Sequence, residues 1–506
     1  MDADRLARNV VLYLAACKLL LHLYANQHYG YFIDELYYLA CSRHLDWGYV
    51  DQPPLIAGIT WLTRSVLGES LAAIRFLPAV AGAGVVALAG MIAREMGGKW
   101  FAQGLAALAV LIAPGFLSLD NLLTMNAFEP LFWMGCAWLV LRIIKTRDQR
   151  LWIWFGVLAG VGLENKYSMG LFGAGLVLGV LLSPQRSALA RPWIWVGGAI
   201  AFLLFLPNLL WNVQHHFPFL ELQANIRRVG RDVPLGPLAF LGQEALTMHP
   251  LNVPIWLAGL VFYFSKAGKP FRALGWAWVF TAVVIMALSP RIYYLYPAFP
   301  VLFAAGGVAW EGWLSKPSLA RWKFAGPVLM ATTGAVLAPL AIPVLSPETY
   351  IRYTQALHLA PPPIETHRLG PLPQIFADQF GWPEMAATVA YVYNRLPPGL
   401  REKTAIFAQN YGQAGAIDLF GPRYGLPPAI SGHQNYFLWG PRGYSGESMI
   451  VMDDSQRQLE SLFASVQKVG RVHHPFSMPY EHFDVFYCRG PKQPLSAMWP
   501  RVKRWD

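Results

Sequence analysis

VVLYLAACKLLLHLY (residues 10–24) leads through ANQHYG (25–30) into YFIDELYYLACSRHLDWGYVDQPPL (31–55). The first stretch is an apolar run with no small-residue cleavage site behind it, so it predicts a first membrane span that acts as a signal anchor. The stretch that follows is polar, aromatic and carboxylate-rich. It places Asp34, Glu35 and Asp51 beside aromatic rings at the membrane surface, which puts the chemistry at a bilayer face rather than inside a span. Within it, Glu35–Leu45 and Pro53–Leu67 read as short surface helices.

The rest of the chain agrees with a bilayer setting. Hydrophobic residues make up 55% of the 506 and charged residues 14%, whereas a soluble domain carries about 25% charge. With a mean hydropathy of +0.35, one globular core cannot hide this much apolar surface, and lipid must solvate part of it. The 20 Trp and 22 Tyr suit interfacial belts, where one edge of a ring is dry and the other wet. Cys17, Cys41, Cys136 and Cys488 form no CxxC and predict neither a metal knuckle nor a disulfide framework. The net charge of +11 lies in short clusters between apolar runs; it reads as topology signals and anionic-lipid contact, not as nucleic-acid binding.

About eleven runs are long enough to cross, allowing for short or tilted helices: 9–26, 72–94, 100–118, 124–145, 151–164, 168–183, 193–212, 252–265, 272–288, 293–314 and 324–345. Basic residues mark every second loop. They are Arg5 and Arg8; Arg94 and Lys99; Arg142, Lys145, Arg147 and Arg150; Arg186 and Arg191; Lys266, Lys269 and Arg272; and Lys316, Arg321 and Lys323. By the positive-inside rule these loops and the N-terminus are cytoplasmic. Loops 27–71, 114–123, 164–167, 213–251 and 289–292 then fall outside, as does everything after about residue 345. The chain divides into a membrane domain, 1–345, and an extracytoplasmic α/β domain, 346–506, with Glu384–Asn394 helical, Thr404–Phe407 and Phe483–Cys488 extended, and Gln456–Val469 a helix leading to a strand.

Several polar residues admit two readings. Asp34 opens a helical pattern, so it is either an N-cap, with Glu35 complementing the helix dipole, or a general base for an acceptor hydroxyl. Helical neighbours diverge by about 100°, so only one of Asp34 and Glu35 faces a common site. Asp51 either caps the helix that Pro53 and Pro54 begin or contacts a metal or donor. Glu129, before Pro130, is either interfacial at a helix start or faces a cavity. Lys166 is either half of a surface ion pair with Glu164 or a phosphate contact. Arg291 breaks the positive-inside pattern next to Tyr293 and Tyr294 and suits either bidentate phosphate or a lipid headgroup. His215 and His216, with His249 ending the same loop, lack specific zinc spacing and form a minority metal reading. No Walker A, GxSxG, HExxH or GxGxxG context occurs, which removes support for an ATPase and for hydrolases and metalloproteases of those classes.

Together, the Asp34–Glu35 pair after the first span, the DQPPL segment at 51–55, the Glu129–Pro130 pair and the Tyr-rich segment after Arg291 resemble the GT-C glycosyltransferases. More narrowly they resemble the bacterial PMT-like group, glycosyltransferase family 39 and its relatives, which includes protein O-mannosyltransferases and lipid A aminoarabinose transferases. The resemblance covers roughly residues 1–345 in arrangement. The tail NYGQAGAIDLFGPRYGLPPAISGHQNYFLWGP (410–441) resembles tails of bacterial members.

The resemblance implies a polytopic GT-C fold in the bacterial inner membrane and a polyprenyl-phosphate-linked sugar as donor. The acceptor would be an envelope glycan, lipid or protein on the outer face. Asp34 matches the first-loop catalytic acid and Glu129 the second acidic position. Asp51 matches a carboxylate that binds metal in some relatives, so a divalent ion is an implied cofactor, with His215 and His216 as further candidate ligands. Glu35, Gln52, Lys166, Arg291, Tyr293 and Tyr294 are the candidate substrate contacts. Gln52 departs from relatives with Lys there, a lost cation that Lys166 or Arg291 would replace. Two other classes compete: a transporter or flippase of lipid-linked sugars, against which no repeat between halves is visible, and a scaffold that holds cell-wall glycan.

Overall fold

The computed structural model describes residues 3–288, 291–359 and 365–506. Ser289 and Pro290, from the expected outer turn 289–292, lie outside them. The chain forms two compact units: 1–28, 72–211 and 234–344 make the first, and 29–71, 212–233 and 345–506 the second.

The first unit is helical, and all eleven apolar runs carry a helix. Among the described residues, seven helices are long and apolar enough to span: Asp4–Ala25, Leu71–Glu95, Met125–Thr146, Pro192–Gln214, Lys269–Leu288, Ile292–Trp313 and Pro317–Leu340. Two bent pairs, Ser168–Leu181 with Pro184–Ala190 and Pro237–Thr247 with Pro250–Phe264, raise this to nine if each is one span. The runs near 100 and 151 form the shorter helices Trp100–Ile112 and Leu151–Asn165. The unit is a multi-pass membrane assembly.

Its interior packs as membrane helices pack, through small residues and flat rings. A Cβ on Gly259 would lie 2.1 Å from the Leu302 carbonyl oxygen, and one on Gly306 2.0 Å from that of Ile255. Only glycine lets helices Val253–Phe264 and Phe299–Trp313 approach so closely. Trp133 stacks on Phe172 at 4.8 Å within the core. Pro192–Gln214 and Pro317–Leu340 instead leave Phe202, Leu203, Phe324 and Val328 exposed, the surface that lipid covers. Lys18 inside the first span is balanced by Asp120, 2.9 Å away, as a charge at that depth requires.

The second unit holds a five-stranded sheet of order β2-β1-β3-β5-β4, from β1 (Thr404–Ala408), β2 (Ile430–Ser431), β3 (Ser448–Met452), β4 (Phe463–Val472) and β5 (Phe483–Pro491). β1 runs parallel to β2 and β3, while β5 pairs antiparallel with β3 and β4. The expected extended segments at 404 and 483 are β1 and β5, and helix Gln456–Leu462 turns directly into β4. The first-loop helices are also present, as Ile33–Cys41 and Leu55–Leu67. Helix Tyr411–Phe420 packs on Ile33–Cys41 closely enough that a Cβ on Gly415 would sit 2.7 Å from the Leu36 carbonyl oxygen.

Candidate functional site

Helix Ile33–Cys41 begins two residues before Glu35, where its pattern suggests a start, with extended Phe32 as the N-cap. The capping role expected of Asp34 therefore goes elsewhere. Glu35, at the third helical position and buried, turns back so that Oε2 accepts the Phe32 N–H at 2.8 Å, the carboxylate half of a capping box. Glu35 serves the helix, and Asp34 projects separately.

Asp34 Oδ1 accepts a hydrogen bond from the Tyr411 hydroxyl at 2.8 Å. Tyr411 is gripped on both faces. Its ring stacks on His433 at 4.9 Å and 13° and lies 4.7 Å from Tyr37. Its backbone N–H donates to His433 Nδ1 at 3.1 Å. Burial, with Arg504 next, pushes His433 down to about 3, so the imidazole is neutral and Nδ1 is free to accept. Burial and the charge of Asp34 push the Tyr411 phenol well up, which keeps its proton available to Asp34.

Asp51 belongs to the same cluster. Its Oδ1 accepts from the Tyr37 hydroxyl at 3.0 Å. Asn435 Oδ1 accepts from that hydroxyl at 3.2 Å and from the Val50 N–H at 2.7 Å. Burial raises Asp51 to about 7; the Tyr37 hydrogen bond opposes the rise and the charge of Asp34 adds to it. Asp34 and Asp51, the latter with its proton affinity raised, thus share one aromatic, hydrogen-bonded setting. Tyr411, His433 and Asn435 come from the 410–441 tail and were not candidates in the sequence; the only local signal is the density of polar and aromatic residues there. Gln52 is buried, its Nε2 reaching Cys41 Sγ at 4.0 Å, the position of a packed polar side chain.

The implied divalent ion finds no built donor set. Among the described residues no three His, Cys, Asp or Glu gather closely enough to hold a metal. His215 is half-buried, and exposed His216 has φ +59°.

The membrane unit has its own polar cluster. Glu129 lies in the second turn of Met125–Thr146, ahead of Pro130, and is buried. Its Oε2 is 2.8 Å from Lys166 Nζ, and its Oε1 accepts from the Ser168 hydroxyl. Lys166 also donates to Asn126 Oδ1 at 2.8 Å and lies 4.2 Å from the centre of the Tyr294 ring and 5.3 Å from that of Tyr293. These two rings stack on each other at 5.0 Å and 17°. The expected Lys166–Glu164 pair is replaced by a buried Lys166–Glu129 pair. The turn is pinned there because Asn165 Nδ2 donates to the Met125 carbonyl at 2.9 Å. Arg291 is half-buried, ahead of the Ile292–Tyr294 turn.

Comparisons with known proteins meet this arrangement from three sides. Residues 51–211 match a family model described as dolichyl-phosphate-mannose-protein mannosyltransferase. The lipid A galacturonosyltransferase RgtD of Rhizobium johnstonii is 28% identical over 191 residues. That stretch is 37% of this chain and 39% of the relative, so the chain matches well under half the length of RgtD. ArnT from Cupriavidus metallidurans, solved with undecaprenyl phosphate bound, superposes with a TM-score of 0.61 at 14% identity, over 94% of this chain and 97% of ArnT. The arabinofuranosyltransferase AftD from Mycobacteria superposes with a TM-score of 0.52 at 15% identity, over 96% of this chain and 40% of AftD. The chain thus shares its fold with ArnT and AftD, and its residues 51–211 are similar to the dolichyl-phosphate-mannose-protein mannosyltransferase family.

Proposed function

We propose that this chain is a glycosyltransferase that moves a sugar from a polyprenyl-phosphate donor to an envelope glycan, lipid or protein. The observation that carries the reading is the Asp34 carboxylate, held by a protonated Tyr411 phenol beside a second carboxylate whose affinity for a proton is raised. Asp34 is the base that takes the proton of the acceptor hydroxyl as the oxygen attacks the anomeric carbon. Asp51, which ionises as pH rises through about 7, then adds negative charge where the sugar carbon becomes positive.

The membrane unit has its own candidate contacts for a lipid phosphate. Lys166, oriented by Glu129 and the Tyr293–Tyr294 stack, is one, and Arg291 is the other. In this reading Glu129 is a positioning residue for Lys166, not a second base. The alternation of basic loops supports a cytoplasmic N-terminus and a reaction on the outer face of a bacterial inner membrane. Clustering of the acids favours an enzyme over a flippase of lipid-linked sugars, which would need no proton acceptor for a hydroxyl.

The test is sugar transfer by the purified chain in lipid bilayers, with a panel of labelled polyprenyl-phosphate sugars and an envelope extract as acceptor. Label appearing in an acceptor supports the reading. Movement of intact donor across sealed vesicles with no new glycosidic bond would replace it with the flippase.

A further inference from the structure

The second unit contains a cavity that the reaction above does not use. It has a volume of about 290 Å³ and is lined by Arg43, His44, Asp418 and Arg442 against an apolar wall that includes Leu426 and Pro428. Ligand pockets run from about 300 to 1,000 Å³, so this one suits a single sugar ring and not an oligosaccharide.

Its polar groups are fixed in advance. The Asp418 carboxylate is the floor: Oδ1 accepts the Ala429 N–H at 2.9 Å, and Oδ2 accepts the Tyr436 hydroxyl at 2.8 Å. Arg43 donates Nη1 to the Asp418 carbonyl at 3.0 Å and Nη2 to Glu69 at 3.0 Å, which holds its guanidinium at the rim. Arg442 is different. Its Nη2 is enclosed but makes no hydrogen bond among the described residues, and Asp418 Oδ2 is 3.8 Å away. Its backbone sits at φ +51°, a left-handed conformation unusual for a residue with a side chain and concentrated at functional sites. An enclosed guanidinium nitrogen without a hydrogen bond is costly unless something fills it, and oxyanions suit such a donor.

The neighbouring imidazole reports the same field. Burial, then Arg442 and Arg43, push His44 below its usual value, so it stays neutral near pH 7. Its ring is held by stacking on Trp439 at 4.4 Å and 27°. Guanidinium nitrogens, a carboxylate floor and an apolar wall are what a sugar needs: donors for an anionic substituent, an acceptor for hydroxyls and a surface for the ring's C–H face.

We propose that this cavity binds an anionic sugar, a single ring carrying a phosphate or a carboxylate, with Arg442 as the principal contact. Binding is read directly, so the proposal stands or falls apart from sugar transfer. Calorimetry on the full chain in nanodiscs, with glucose 6-phosphate, glucuronate and neutral glucose, decides it. At least one anionic sugar is expected to bind ten times or more tighter than glucose, and which one does so identifies the substituent. Arg442→Gln is expected to weaken that binding at least tenfold while keeping the wild-type melting midpoint. Leu426→Trp, which fills the cavity from its apolar wall, is expected to do the same without touching a charge. No binding of either anion, equal binding of glucose, or wild-type binding by a folded Arg442→Gln or Leu426→Trp protein would overturn it.

Discussion

Tyr411 and Asp34, 377 residues apart in the chain, meet in a 2.8 Å hydrogen bond from phenol to carboxylate. The bond joins the tail to the first loop at the group proposed to remove the acceptor's proton. Tyr411→Phe deletes the bond and keeps the ring stacked on His433 and Tyr37. As Asp34 loses its orientation, the transfer rate is expected to fall roughly tenfold to a hundredfold, while stability falls by no more than a hydrogen bond to a charged group contributes, about 1.5–3 kcal/mol. Steady-state kinetics alongside thermal melts check this; a wild-type rate would mean that Tyr411 does not position Asp34.

The Glu129–Lys166 pair is buried, with both side chains under 10% exposed. Removing one partner of such a pair leaves an uncompensated charge and costs about 3–5 kcal/mol, while removing both costs less. Glu129→Gln and Lys166→Met are each expected to lower the melting midpoint in detergent. The double variant should recover part of the loss, though not the activity. Additive losses would show that the two side chains act independently.

Asp51 gives a pH signature. Burial raises its folded value to about 7, above the roughly 3.9 of an unfolded chain. The folded state therefore binds the proton more tightly. The resulting contribution to stability is complete below about pH 4 and is lost as pH climbs through about 7. The melting midpoint of wild type minus that of Asp51→Asn should fall across this window and level off above it. Transfer by wild type should rise through about pH 7 as the carboxylate forms, and Asp51→Asn should lack that limb. A flat difference in midpoints would place the titration elsewhere.

Gly415 tests the contact that seats the first-loop helix. A side chain there meets the Leu36 carbonyl oxygen at 2.7 Å. Overpacking of this kind costs about 1–3 kcal/mol. Gly415→Val is expected to lower both stability and transfer, and Gly415→Ala to lie between it and wild type; melting curves and initial rates rank the three.

How far the sequence could be read depended on the range of each interaction. Each apolar run is helical because span length and composition are local signals. β1, β5 and the helix-to-strand step at Leu462–Phe463 were legible for the same reason. β3, SMIVM, was not: it is buried on both faces and so shows no alternation. Asp34 stood out by its position after the first span, but its status as a cap depended on where the helix began, and the N-cap falls two residues earlier, at Phe32. Its partner could not be found by spacing, since Tyr411 lies in another part of the chain. Proximity in sequence also favoured Glu164 as the partner of Lys166, whereas helix packing delivers Glu129 from 37 residues away.

The most direct test of the central claim is transfer of labelled sugar from a polyprenyl-phosphate donor by wild type and Asp34→Asn in lipid, with folding checked by thermal melting. The account predicts a product with wild type and a loss of about a hundredfold or more in a folded Asp34→Asn protein, as expected for removal of a general base. Equal transfer by the two proteins would contradict it and remove Asp34 as the base.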